Sequence, residues 1–177
     1  MEQEELIKKC LKKNRKAQNL LYNRYVQKMY GVCLRFAKDS MEADDICQDG
    51  FIKVFNNLKN FRHEGSLEGW IRRTMINTAI NYYKKSSKHA YDLDITEIEI
   101  GGTGQENPIE RLSAIELMEL IQQLPDGYRM VFNLNVIEGY THKEIGDMLN
   151  ISENTSKSQL SRARVALQKL IKKTYNI

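Results

Sequence analysis

The first 107 residues of this chain contain no proline, and that absence constrains its fold more than any other feature. Proline kinks or ends a helix, so an unpunctuated stretch of this length leaves room for long helices. The apolar pattern agrees. Glu2–Asn14 places Leu6, Ile7, Cys10 and Leu11 on one side and lysines on the other. Lys16–Lys38 follows with Leu20, Leu21, Tyr25, Met29, Val32, Cys33 and Phe36 at helical spacing. Asp39-Ser40 breaks that pattern, and Ser40 is the expected cap of a third helix, Met41–Leu58, with apolar contacts from Ile46, Phe51, Ile52, Val54 and Phe55. After a loop at Phe61–Gly65, Ser66 opens a fourth, Leu67–Lys85. No strand-like alternation bounded by turns intervenes, so the expected fold is all-α.

Past residue 85 the helical period is lost. Ser86–Arg111 holds Asp92, Asp94, Glu97, Glu99, a Gly101-Gly102-Thr103-Gly104 turn and Pro108, which reads as a flexible acidic linker. The glycine run neither follows a strand nor leads to Gly-Lys-Ser/Thr, so no phosphate loop is supported. Helix is expected again at Ile109–Gln123, then a Leu124–Gly127 turn and a helix over Tyr128–Glu138. The organisation is two small helical domains, 1–88 and 112–177, joined by the linker 89–111.

The second domain ends in spacing that specifies a helix-turn-helix. Thr141 and Glu144 form a capping box, in which hydroxyl and carboxylate exchange bonds with each other's backbone N–H. Ile145, Met148 and Leu149 share a face, Asn150 tolerates the left-handed conformation that closes a helix, and Ser152 can cap the next. In that last helix Ser156, Leu160, Ala163, Leu167, Leu170 and Ile171 form the inner face, with Ser156 small enough for close approach. A wheel at ~100° per residue sets Asn154, Lys157, Ser158, Ser161 and Arg162 opposite, with Arg164 flanking. From Ile151 onward six Lys/Arg face Glu153 alone. A basic face rich in short hydrogen-bond donors suits a helix lying in a DNA major groove; the plain alternative is a solvated helical hairpin.

Charge is distributed unevenly rather than in excess. The net +4 divides into +8 over residues 1–90 (eighteen Lys/Arg, ten Asp/Glu), −5 over 91–112 and +1 over 113–177. Within the first lobe the fourth helix carries a stripe of Trp70, Asn77, Asn81 and Lys84 with Arg73 beside it, while Ile76, Ile80 and Tyr83 are expected farther round and partly exposed. Aromatic faces, amides and cations together suit single-stranded nucleic acid, though a lone Trp is more often a core residue. Asp44, Asp45, Gln48 and Asp49 cluster near the start of the third helix. They fit helix-dipole stabilisation and a docking face for a basic partner equally well. A catalytic role is disfavoured, because no nucleophile, His cluster or phosphate loop accompanies them.

Several classes are excluded. The three cysteines, Cys10, Cys33 and Cys47, include no C-x-x-C pair and sit on apolar patterns, which implies buried reduced thiols. His63, His89 and His142 lack zinc spacing, so no metal or other cofactor is expected. The N-terminus has no apolar leader, and no run approaches the ~20 apolar residues of a membrane span. The chain reads as cytoplasmic, without membrane insertion, and not an enzyme.

These residues, taken together, resemble a known family: bacterial RNA polymerase sigma factors of the small two-domain extracytoplasmic-function group. Ala43-Asp44-Asp45-Ile46-Cys47-Gln48-Asp49-Gly50-Phe51-Ile52-Lys53 is similar to a family signature in the first domain, as are Phe61-Arg62 through Ser66, Trp70-Ile71 and Asn77-Thr78-Ala79. Leu124-Pro125, Arg129, Phe132, Glu138–Thr141, Glu144-Ile145 and Ser158–Arg164 resemble the second. All occur in family order and spacing, over roughly Leu20–Lys88 and Leu112–Lys172. The departures are Asn154, Ser156 and Gln159 in the last helix, where Gly, Val and Arg are frequent, and Asn81, where Asp is common.

The resemblance implies a function and its residues. The chain would direct core RNA polymerase, through its β′ and β subunits, to promoter DNA and assist melting. Asp45, Gln48 and Asp49 match the segment that docks on the β′ clamp helices. Asn77, with Phe61 and the loop His63–Ser66, matches the region that captures a flipped base of the −10 element, on the same stripe as Trp70, Arg73, Asn81 and Lys84. Asn154, Lys157, Ser158, Ser161 and Arg162 match the reader of the −35 element. An anti-sigma factor is the implied inhibitor. The nearest rival is a helix-turn-helix regulator acting without core polymerase. More distant are a magnesium-dependent nucleic-acid enzyme using Asp44 and Asp45, and a protein-interaction bundle indifferent to DNA.

Overall fold

The computed structural model describes residues 2–89 and 113–175, and these are helical with no strand among them. The backbone groups into two compact units, 1–82 and 83–177. The first contains α1 (Gln3–Leu11), α2 (Arg15–Phe36), α3 (Ser40–Asn57), a single 3-10 turn at Leu58–Asn60, and most of α4 (Leu67–His89). The second contains α5 (Ala114–Gln122), α6 (Asp126–Phe132), a π-helical turn at Asn133–Ile137, α7 (His142–Leu149) and α8 (Glu153–Tyr175). Apart from His89, which closes α4, the linker expected at 89–111 lies outside the described residues, as do 109–112 of the helix expected from Ile109.

In the first unit α2, α3 and α4 each start on a local side-chain cap, whereas α1 has none. The Asn14 side chain accepts from the Ala17 N–H at 3.0 Å to begin α2. For α3 the cap is Asp39 rather than Ser40: its Oδ1 accepts from the Glu42 N–H at 2.8 Å, and Ser40 is already helical. The Glu42 carboxylate reaches back to the Lys38 N–H at 2.8 Å, so the charged Asp outcompetes the neighbouring hydroxyl for the orphan donor. Ser66 caps α4 as expected, accepting from Gly69 at 3.0 Å.

The core of this unit contains Leu6, Leu21, Met29, Ile46, Leu58, Leu67, Ile71 and Met75, all fully buried. Each such side chain removed from water contributes about 1.5–3 kcal/mol. Three residues expected among the apolar contacts lie outward instead: Leu11, Leu20 and Ile52 are 47%, 41% and 53% exposed. Leu20 adjoins Leu21 in sequence, and only packing decides which of the two turns inward. The opposite correction applies to Ile76 and Ile80, expected partly exposed but 2% and 4% accessible. Helix α4 is therefore covered on more than the single face that periodicity indicated.

Residues 113–175 of the second unit form four α-helices whose turns are built from short-range bonds. Ser113 and Glu116 make a capping box at α5, which the sequence reading did not anticipate. The next helix begins at Asp126, two residues before its expected start, because Pro125 offers its carbonyl to the Arg129 N–H at 2.9 Å. Arg129 is itself buried, and its guanidinium donates to the Leu124 carbonyl at 2.8 Å and pairs with Asp126 at 2.6 Å. A buried cation is tolerated here because carbonyls at the end of α5 and a carboxylate satisfy it.

The helix-turn-helix forms as its caps specify. Thr141 and Glu144 complete the capping box, and Asn150 takes the left-handed conformation at φ 60°, ψ 43°. Ser152 accepts from the Thr155 N–H at 3.0 Å to start α8. Ser156 is fully buried, and its hydroxyl contacts His142 Nδ1 at 2.9 Å across the helix pair. Gly146 allows the closest approach: a Cβ there would lie 2.8 Å from the Ile151 carbonyl oxygen.

Candidate nucleic-acid interface

Helix α8 presents its basic face outward. Asn154, Lys157, Ser158, Ser161, Arg162 and Arg164 are all exposed, while Ser156, Leu160, Ala163, Leu167 and Ile171 are buried beneath them. The alternation follows from 3.6 residues per turn, with the inner face held against α6 and α7. Lys157 pairs with Glu153 at 2.7 Å, and that ion pair holds the Glu153 carboxyl below its usual range. Ser158 donates its hydroxyl to the Thr155 carbonyl at 2.9 Å. An anionic ligand on this face would thus compete with Glu153 for Lys157, whereas Arg162 forms no ion pair among the described residues.

Helix α4 displays Arg73, Asn77 and Asn81 as exposed residues, with Trp70 and Lys84 half-buried. Phe61 is buried, and its ring lies 4.7 Å from the His63 ring and 5.7 Å from that of Trp70. The three rings form one aromatic cluster at the N-terminal end of α4. His63 adopts a left-handed φ of 59° and Gly65 one of 91°, which folds the loop tightly back to Ser66. The structure therefore brings Phe61, His63 and Trp70 together and strings Arg73, Asn77, Asn81 and Lys84 along the helix that follows.

The acidic cluster lies on α3. Asp44, Asp45 and Gln48 are exposed, and Asp49 is half-buried. The Tyr82 hydroxyl of α4 donates to Asp49 Oδ2 at 2.7 Å. That bond, helped by burial and by the neighbouring Asp45 and Glu42 charges, pushes the Tyr82 phenol up to about 12. Lys53 reaches Thr78 at 3.2 Å, and Lys28 of α2 pairs with Glu68 of α4 at 2.9 Å, so α4 is tied to both preceding helices. Between α2 and α3 a groove of about 270 Å³ is lined by Tyr22, Val26, Tyr30, Asp44, Cys47 and Gln48. Burial, then the Asp44 charge, raises Tyr30. Cys10, Cys33 and Cys47 are free and buried, and a thiol hydrogen bond between Cys33 and Cys47 raises the first and lowers the second. Sequence reasoning missed this pairing of Tyr82 with Asp49, because the two residues are 33 apart.

The sigma-70 region 2 family model matches residues 21–89, and the sigma-70 region 4 model matches residues 114–167. The chain belongs to the sigma-70 family. Among curated relatives, the extracytoplasmic-function sigma-E factor of Escherichia coli (strain K12) is 30% identical over 173 residues, covering 92% of this chain and 90% of its own. The sigma-H factor of Pseudomonas aeruginosa is 27% identical over 179 residues, covering 95% and 93%. A solved sigma factor from Bartonella quintana, in complex with an anti-sigma factor, has the same fold at a TM-score of 0.52 and 18% identity, covering 87% and 96%. This sigma factor, of the extracytoplasmic-function type, directs RNA polymerase to promoters in transcription initiation. A regulator acting without core polymerase is not favoured, since it would have no use for region 2. No helix among the described residues is long and apolar enough to cross a membrane.

Proposed function

We propose that three exposed faces divide the work of this sigma factor. Asp45, Gln48 and Asp49 on α3 dock the β′ clamp helices of core polymerase. Asn77, with Trp70, Arg73, Asn81, Lys84 and the Phe61–Ser66 loop, captures the single-stranded −10 element. Asn154, Lys157, Ser158, Ser161 and Arg162 on α8 read the −35 duplex. The chain acts in the cytoplasm, and bond-making belongs to the polymerase. An anti-sigma factor holds it in reserve, a reading supported by the like-folded neighbour solved with one.

One observation carries this division: the residues that match the family's functional segments are mostly solvent-exposed, while their helical neighbours form the core. Physical chemistry fits each face to its ligand. Taking a base out of the duplex costs a few kcal/mol, and stacking on an aromatic side chain recovers about 1–3 kcal/mol per base. Trp70 supplies such a ring, half-buried, and buried Phe61 packs against it with ring centroids 5.7 Å apart. The Asn77 amide both donates and accepts, which suits a base edge. The α8 cations neutralise phosphates, and its short polar side chains reach base edges in the major groove.

Asn77→Ala tests the melting assignment. With purified core enzyme, permanganate reactivity of unpaired thymines is expected to fall on a double-stranded promoter. It should recover on a template already mismatched across the bubble. Opening of the closed duplex at the wild-type level by Asn77→Ala would overturn the assignment of α4 to the single strand.

A further inference from the structure

Asp49 differs from its acidic neighbours in one respect. Asp44 and Asp45 are exposed at the surface, whereas Asp49 is half-buried with one carboxylate oxygen engaged by the Tyr82 hydroxyl at 2.7 Å. A carboxylate at the rim of a docking face rotates about two side-chain torsions, and a partner must freeze both on binding. A charge-assisted O–H···O bond freezes them beforehand and leaves the second oxygen to accept from the partner. The donor belongs to α4, next to exposed Asn81 on the stripe described above. The same bond therefore joins the acidic face of α3 to the DNA-facing helix, alongside the Lys53–Thr78 contact at 3.2 Å.

We propose that Tyr82 is a positioning residue for polymerase binding: its hydroxyl presets the Asp49 carboxylate and locks α3 to α4 at the docking face. This rests on the assignment of Asp49 to that face. Tyr82 acts through Asp49 and makes no contact with polymerase itself. With the phenol surrounded by Asp49, Asp45 and Glu42, it remains the donor throughout the working pH range. A phenylalanine keeps the ring and removes the hydroxyl.

The test is a double-mutant cycle on affinity for purified core polymerase with wild type, Tyr82→Phe, Asp49→Ala and the double variant. Tyr82→Phe is expected to weaken core binding about two- to tenfold, the cost of immobilising one more side chain on binding. It should have little further effect once Asp49 is Ala. Equal losses in both backgrounds, or no loss at all, overturn the role of Tyr82 while leaving Asp49 in place. Unchanged affinity in Asp49→Ala overturns the docking assignment and the proposal together. A second variant separates positioning from fold support: a ring-fluorinated tyrosine at position 82, whose phenol ionises near neutral pH. Core affinity of that protein should fall as pH rises through the ionisation, because a phenolate cannot donate and is repelled by Asp49. Wild type should stay flat over the same range, and identical flat profiles would refute the proposal.

Discussion

Gly146→Ala tests how the helix-turn-helix is held together. The added Cβ would sit 2.8 Å from the Ile151 carbonyl oxygen, about 0.6 Å inside ordinary contact. That oxygen cannot swing aside cheaply. Ile151 donates its own N–H to the Gly146 carbonyl at 3.1 Å, and Asn150 is fixed in the left-handed region. The turn must open, at the ~1–3 kcal/mol typical of overpacking. Against this, replacing a mid-helix glycine by alanine gains ~1 kcal/mol in helix propensity. At the middle of its range overpacking wins, for a net loss of about 1 kcal/mol confined to the second unit. Gly31→Ala in α2 is the control, since a Cβ there meets nothing within 4 Å and only the propensity gain remains. Urea unfolding should be followed by two signals: fluorescence of Trp70, the only tryptophan, for the first unit, and helical circular dichroism for both. Gly146→Ala should leave the Trp70 transition unmoved, lower the rest of the dichroism transition, and weaken binding to −35 duplex. Gly31→Ala should raise the Trp70 midpoint. If Gly146→Ala is as stable as wild type, the close approach of α7 and α8 does not limit the fold and the steric argument fails.

Other consequences can be checked separately. Arg162→Ala and Lys157→Ala should each lower the salt slope of binding to −35 duplex by about one unit if a phosphate contact is lost. A lost base contact should instead cost ~1–3 kcal/mol and relax specificity; titrations at several salt concentrations distinguish these, and no change in either variant would remove α8 as the reader. The Glu144 carboxyl is held below its ordinary value by bonds from the Thr141 backbone and hydroxyl, and Glu116 likewise by Ser113. A carboxyl depressed in the folded state stabilises above its unfolded value near 4.5 and ceases to as pH falls through the lower folded value. Glu144→Gln should therefore flatten the acid limb of the stability profile, measured as thermal midpoint against pH, and an unchanged acid limb would show the capping box to be unimportant.

Much of this fold is decided within a few residues, and that part was legible in the sequence. The capping box at Thr141–Glu144, the left-handed Asn150, the Ser152 cap and the Ser66 cap each need only a side chain and a backbone group three or four positions away. The outward face of α8 was legible for a related reason: one apolar stripe on a helix leaves only one opposite face. Local chemistry also misleads where two candidates compete, as when Asp39 rather than Ser40 capped α3 because a charged acceptor binds an orphan N–H more strongly. The assignment of faces to polymerase and promoter came from family resemblance rather than from periodicity, which left the acidic cluster open between helix dipole and docking.

Tertiary structure decided the remainder. Periodicity gives the direction of a side chain around its helix but not how many neighbours cover that helix. Ile76 and Ile80 were therefore buried, while Leu20 and Ile52 pointed outward. It cannot join Tyr82 to Asp49 or Lys53 to Thr78, because those bonds span 33 and 25 residues and exist only once α3 lies against α4. Nor does it show that Arg129 is buried, since a guanidinium leaves water only where folded carbonyls and a carboxylate already wait for it. The cost of desolvating a polar group is set by what surrounds it, and those surroundings exist only in the folded chain.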